Sequence, residues 1–137
     1  MQLDKVIYTG KIHTTGGRDG SAQSDDGRLD VQLSGPGSNG PGTNPEQLLA
    51  AGWSACFIGA MKKAGAALNV ALPADLAVDA EVDLGMDANG YRLGVRLNVS
   101  LPGLARDLGQ QVIEMAHNTC PYSKALKGNI GIELKLI

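Results

Sequence analysis

The residues that could do redox chemistry together are two cysteines, one arginine among glycines and one glutamate at a helix start. Cys56 and Cys120 stand far apart in the chain, which excludes a CxxC redox motif and a zinc site of cysteines alone. Two thiols are still the minimum for a cycle in which one is oxidised and the other resolves it. Cys56 lies in Ala51-Gly-Trp-Ser-Ala-Cys-Phe57, in the middle of an apolar helix, where a free cysteine often simply packs. Mid-helix it gets no help from a helix N-terminus, so a thiolate there needs a cation brought in from elsewhere. Cys120 stands where a helix begins, before Pro121, and orphan N–H groups and the positive end of the dipole favour a thiolate. The alternative is an ordinary cap residue, although cysteine is not a preferred one. Arg18 sits in Thr14-Thr-Gly-Gly-Arg-Asp-Gly20, either a mobile loop that carries a guanidinium to a site or a hairpin turn with a solvated arginine. Glu46 could pair with Arg18 and orient it, or only complement a helix dipole. His117 makes an HxxC spacing with Cys120, but a metal site would need carboxylates too, and no metal or cofactor is expected.

The elements that must position these groups are readable from periodicity. Three short strand candidates come first, at Lys5 to Thr14, Ser21 to Ser24, and Leu29 to Leu33. The Gly- and Pro-rich segment 35–43 is the one low-complexity loop. Asn44 is then a good N-cap, Pro45 fits the first helical position, and Glu46 suits the first turn. Leu48 to Met61 is apolar or small nearly all round, the mark of a helix buried on most sides. Leu76 to Leu84 and Leu93 to Leu101 alternate around the turn Asp87-Ala88-Asn89-Gly90, giving a hairpin with one wet and one dry face. The wet face is acidic on one strand and carries Arg92 and Arg96 on the other, so cross-strand pairs are expected. A helix over about Leu104 to His117, a short helix from Cys120-Pro121 to Leu126, and a closing strand from Ile130 to Leu136 complete the chain. The order βββ-α-ββ-α-α-β is an α+β domain, with antiparallel sheets packed on a buried central helix. It is expected to be a single domain over 1–137.

Composition narrows the function classes. Lys plus Arg is 12 against 14 for Asp plus Glu, so no basic surface large enough to track phosphates is available and nucleic acid is an unsuitable partner. The longest apolar stretch is too short for a membrane span, and no segment reads as a signal peptide, so a cytoplasmic protein is the expectation.

Gly-Gly-Arg-Asp-Gly at 16–20, Asn-Pro-Glu-Gln-Leu-Leu at 44–49, Ala-Gly-Trp-Ser-Ala-Cys-Phe at 51–57 and Cys-Pro-Tyr-Ser-Lys-Ala at 120–125 together resemble the organic hydroperoxide resistance proteins, which belong with the OsmC-like proteins. The resemblance spans essentially the whole chain. It implies a thiol peroxidase working as an intertwined homodimer, with Cys56 peroxidatic, Cys120 resolving, and Arg18 and Glu46 activating Cys56. It also implies regeneration by lipoylated proteins in the dihydrolipoyl form. Lys124 departs from the Asn that the resemblance leads one to expect after Cys-Pro-Tyr-Ser; it follows the resolving cysteine, leaves the peroxidatic centre untouched and could alter how a reductant docks. Apolar neighbours of Cys56 (Trp53, Phe57, Ile58 and Met61) are expected to favour bulky organic hydroperoxides over hydrogen peroxide. The alternatives are an OsmC-like protein with another peroxide or reductant preference, and a non-catalytic binding protein with inert thiols. Finally, Glu46 and Cys56 are ten residues apart on one helix, about 15 Å along its axis, so a glutamate serving a cysteine is expected to serve the one on a partner chain.

Overall fold

The computed structural model describes residues 2–137, and these fall into two compact units divided after Pro45. The first holds a three-stranded antiparallel sheet of β1 (Ile12–Thr15), β2 (Ser21–Ser24) and β3 (Asp30–Gln32), in that spatial order. Only Ile12 onward pairs, although β-rich sequence begins earlier, and Val6, Ile7 and Tyr8 are exposed. Ala22 and Leu33 are its buried side chains. The Gly- and Pro-rich loop is tied back rather than loose. Thr43 bridges to Leu33, and the Gly42 N–H donates to Ser34 Oγ at 2.9 Å.

Arg18 does not ride on an open loop. Residues Gly17–Asp19 form a single 3₁₀ turn, entered through Gly16 in the left-handed region at φ 74°. A Cβ on Gly20 would run into the Thr15 carbonyl, so the glycines are needed to fold the turn this tightly.

The second unit is built on α1 (Pro45–Ala67), whose N-terminal signals fall where the sequence puts them. Its Trp53, Phe57, Ala60, Met61 and Ala64 are buried in one core with Val95, Leu97, Val99, Val112, Ile113, Ala116 and Leu136. The opposite face of α1, with Ala51, Ala55 and Gly59, is exposed in the single chain. Burial on most sides is therefore not achieved within one chain. The apolar residues outnumber the positions that this core can cover.

β4 (Ala77–Asp87) and β5 (Gly90–Ser100) form the expected hairpin, with Glu81 opposite Arg96. Arg96 donates to both Asp83 oxygens at 2.7 and 2.9 Å and to Glu81 Oε2 at 3.1 Å, and Arg92 pairs with Asp87 at 2.9 Å. The strands run three residues past Leu84, and there the dry face outlasts the core: Leu84, Met86 and Tyr91 are 43%, 72% and 77% exposed. α2 (Arg106–Thr119) and α3 (Pro121–Leu126) then lead to β6 (Gly131–Leu136). β6 joins β5 in parallel, so this sheet is mixed rather than wholly antiparallel. The two-helix crossover between β5 and β6 is the kind of connection that a parallel pair requires.

Candidate active site

The two thiols, distant in sequence, meet in the second unit. Cys120 Sγ lies 3.2 Å from Cys56 Sγ, and both cysteines are free. Cys56 is half-buried on α1 and Cys120 is fully buried. Cys120 is held by both neighbouring helices. It closes α2 through its N–H to the Ala116 carbonyl at 2.8 Å, and its own carbonyl accepts the Lys124 N–H of α3 at 3.0 Å. Its side chain makes no capping hydrogen bond, because the sulfur turns toward Cys56.

The helix start after Cys120 also serves the other thiol. The backbone N–H of Tyr122, the second residue of α3, hydrogen-bonds to Cys56 and favours its thiolate. This corrects the expectation that no helix N-terminus reaches a mid-helix cysteine. α3 belongs to a different part of the chain, and its approach is not encoded near Cys56. The net effect on Cys56 is nevertheless an upward shift. Desolvation by burial is the largest cause, and the hydrogen bond and charge of Cys120 add to it. The Tyr122 N–H and the charge of Lys63 oppose it without winning. Lys63 is two turns beyond Cys56 on the same stripe of α1. Within this unit Cys56 therefore rests as a thiol, and a stronger cation is needed to make it a nucleophile at neutral pH.

The other expected site residues are distributed unevenly. Trp53, Phe57 and Met61 are fully buried in the core, and Ile58 is half-buried. Trp53 Nε1 donates to Ser123 Oγ at 3.1 Å. Tyr122 lies over Gly52, where a Cβ would sit 3.0 Å from its hydroxyl oxygen. Glu46 opens α1, ten residues before Cys56, so the two are not brought together within one chain. Arg18 belongs to the first unit, on its 3₁₀ turn. His117 has a buried Nδ1 without a hydrogen bond, and burial, then Lys127, hold its pKa below the ordinary value. The helix C-terminus does not offset that desolvation. Among the described residues no group of three or more His, Cys, Asp or Glu could hold a metal ion.

Tyr122, Ser123 and Lys63 do not stand out in the sequence as site residues. Two signals were available. A lone tryptophan that is buried needs an acceptor for its N–H, and Lys63 recurs at helical spacing from Cys56.

Residues 35–135 match the family of OsmC-like proteins. An organic hydroperoxide resistance protein of Xanthomonas axonopodis pv. citri (strain 306) is 44% identical over 137 residues, covering 97% of this chain and 96% of the relative. The crystal structure of the organic hydroperoxide resistance protein OhrB of Bacillus subtilis is similar at a TM-score of 0.91 and 39% identity, covering 96% of this chain and 100% of that one. The crystal structure of an organic hydroperoxide resistance protein from Elizabethkingia anophelis is similar at a TM-score of 0.88 and 38% identity, covering 96% and 97%.

Proposed function

The chain belongs to the OsmC-like proteins, in their organic hydroperoxide resistance branch, and we propose that it reduces organic hydroperoxides to alcohols with Cys56 as nucleophile and Cys120 as resolving thiol. The observation that carries this reading is the 3.2 Å approach of two free sulfurs. The Cys56 thiolate attacks one peroxide oxygen, the O–O bond breaks, and the departing alkoxide takes a proton to become the alcohol. Cys56 is left as a sulfenic acid. Cys120 attacks the Cys56 sulfur, an S–S bond forms, the S–O bond breaks, and hydroxide leaves with the thiol proton as water. The sulfurs must close from 3.2 Å to about 2.05 Å, a shift of about 1.2 Å that side-chain rotation can supply. A dithiol such as dihydrolipoyl protein then reopens the disulfide by exchange, giving its two electrons and two protons to the cysteines and leaving as its own disulfide.

Arg18 supplies the cation that the raised Cys56 pKa calls for, and its fork of donors can hold the peroxide oxygens while Glu46 orients it. Of the expected pocket residues, half-buried Ile58 is the one left to offer alkyl and fatty-acid chains an apolar contact beside Cys56, while Trp53, Phe57 and Met61 belong to the core against which both pack. Glu46 cannot reach the Cys56 of its own helix, so the working unit is a homodimer in which each site draws on two chains. Two apolar surfaces left open in the single chain support this. They are the small-residue face of α1 at Ala51, Ala55 and Gly59, and the overhanging end of the hairpin at Leu84, Met86 and Tyr91.

The test is turnover of tert-butyl hydroperoxide with dihydrolipoamide, compared with thioredoxin and with glutathione. Sustained consumption with the dithiol is expected. No reaction of Cys56 with the hydroperoxide would leave the protein with inert thiols and end this reading.

A further inference from the structure

We propose that the buried Trp53–Ser123 hydrogen bond is a positioning contact for the resolving step: it holds α3, and with it Cys120, against the turn of α1 that carries Cys56. The inference rests on the thiol cycle above and adds to it two residues that touch neither substrate nor the reacting sulfurs.

Three observations carry it. Trp53 lies three residues before Cys56 and Ser123 three residues after Cys120, so their 3.1 Å bond is a second link beside the pair of sulfurs. Both side chains are fully buried, and Ser123 is the one buried polar side chain among the described residues. A hydroxyl in such a place costs stability unless it is bonded, and the indole N–H and the serine oxygen satisfy one another. Finally, α3 has six residues and no side-chain cap, so it cannot hold its own position. Besides Leu126, which packs against the core at its far end, what holds it at the Cys56 turn is this bond and the Tyr122 ring lying on Gly52. A misplacement of about 1 Å in a reacting pair can cost up to about a hundred-fold in rate.

The experiment monitors one turnover of the full-length protein. Reduced protein receives one equivalent of tert-butyl hydroperoxide. Sulfenic acid is trapped with dimedone and disulfide is quantified by peptide mapping. Ser123→Ala is expected to form the sulfenic acid at the unmodified rate and to close the disulfide about ten-fold more slowly. That factor corresponds to about 1.4 kcal/mol, the range for one buried hydrogen bond and its orphaned donor. Trp53→Phe should close as slowly, and the double variant no more slowly than either, because all three remove the same bond. Disulfide closure at the unmodified rate in Ser123→Ala, or a double variant slowed by the product of the two single effects, would overturn the proposal. If Ser123→Ala does not fold, closure at the unmodified rate in Trp53→Phe overturns it equally. The same variants are oxidised in parallel with diamide, which makes the disulfide without a peroxide and should show the same ten-fold slowing. A protein that forms no sulfenic acid refutes the peroxidase reading, while the diamide arm still judges the positioning contact.

Discussion

At Cys56 the balance of forces is unfavourable to its own chemistry: burial and the neighbouring sulfur outweigh the Tyr122 N–H and Lys63. A raised thiol pKa means less thiolate at neutral pH, and that deficit is what Arg18 is proposed to correct. Arg18→Ala should therefore move the pH profile of Cys56 alkylation to higher pH, above the ordinary thiol range, with the plateau rate little changed. An unshifted profile would remove Arg18 from the activating role. Cys56→Ser should abolish peroxide consumption. Cys120→Ser should consume about one equivalent and stall as a sulfenic or over-oxidised species, read by mass spectrometry. The pairing of the two cysteines was legible from type and motif, because thiol chemistry needs few residue types. Tyr122 and Ser123 were not, because their roles depend on contacts across the chain, 70 positions in the case of Trp53 and Ser123.

α1 works as a two-sided element, with large side chains toward the sheet and small ones away from it. Phe57 is fully buried on the first side, so Phe57→Ala should destabilise the protein by about 3–5 kcal/mol, measured by urea unfolding. A loss of that size would mark Phe57 as a core residue before it is anything else. A polar replacement at Phe57 or Met61 then reports on the fold more than on substrate choice. The hairpin was legible in detail, down to the Arg96 pairing, because alternation and turn chemistry are local signals. Three features were not. The parallel direction of β6 depends on which strand it meets, since its own pattern of alternation suits either direction. Pairing of β1 begins only at Ile12 because β2 is too short to offer partners further back. The 3₁₀ turn at Arg18 looks from its glycines like a loose loop, yet those glycines permit a close backbone approach.

On the scale of the whole molecule, the 23-residue α1 keeps Glu46 and Cys56 about 15 Å apart along its axis in one chain. Complementation puts that distance to the test. Inactive Arg18→Ala chains refolded with inactive Cys56→Ser chains should regain activity, because one composite site in each heterodimer is intact. Verified heterodimers without activity, or a monomer that is active alone, would sink the idea. In the sequence, the expectation of a second chain rests only on helix geometry. The exposed end of the hairpin and the open face of α1 became visible only once the rest of the core was filled.

In the proposed cycle, the short gap between the sulfurs would also decide which reductants succeed. A monothiol that opens the disulfide forms a mixed disulfide on one cysteine and leaves the other as a thiol about 3 Å away. That neighbour is present at an enormous effective concentration and expels the newcomer before a second monothiol molecule arrives. A dithiol competes on equal terms, because its own second sulfur is tethered too and leaves as a closed ring. On the proposed mechanism, the same proximity that would make oxidation self-limiting thus turns reduction into a contest between two intramolecular reactions, one that disfavours solution monothiols by kinetics without any gate in the protein.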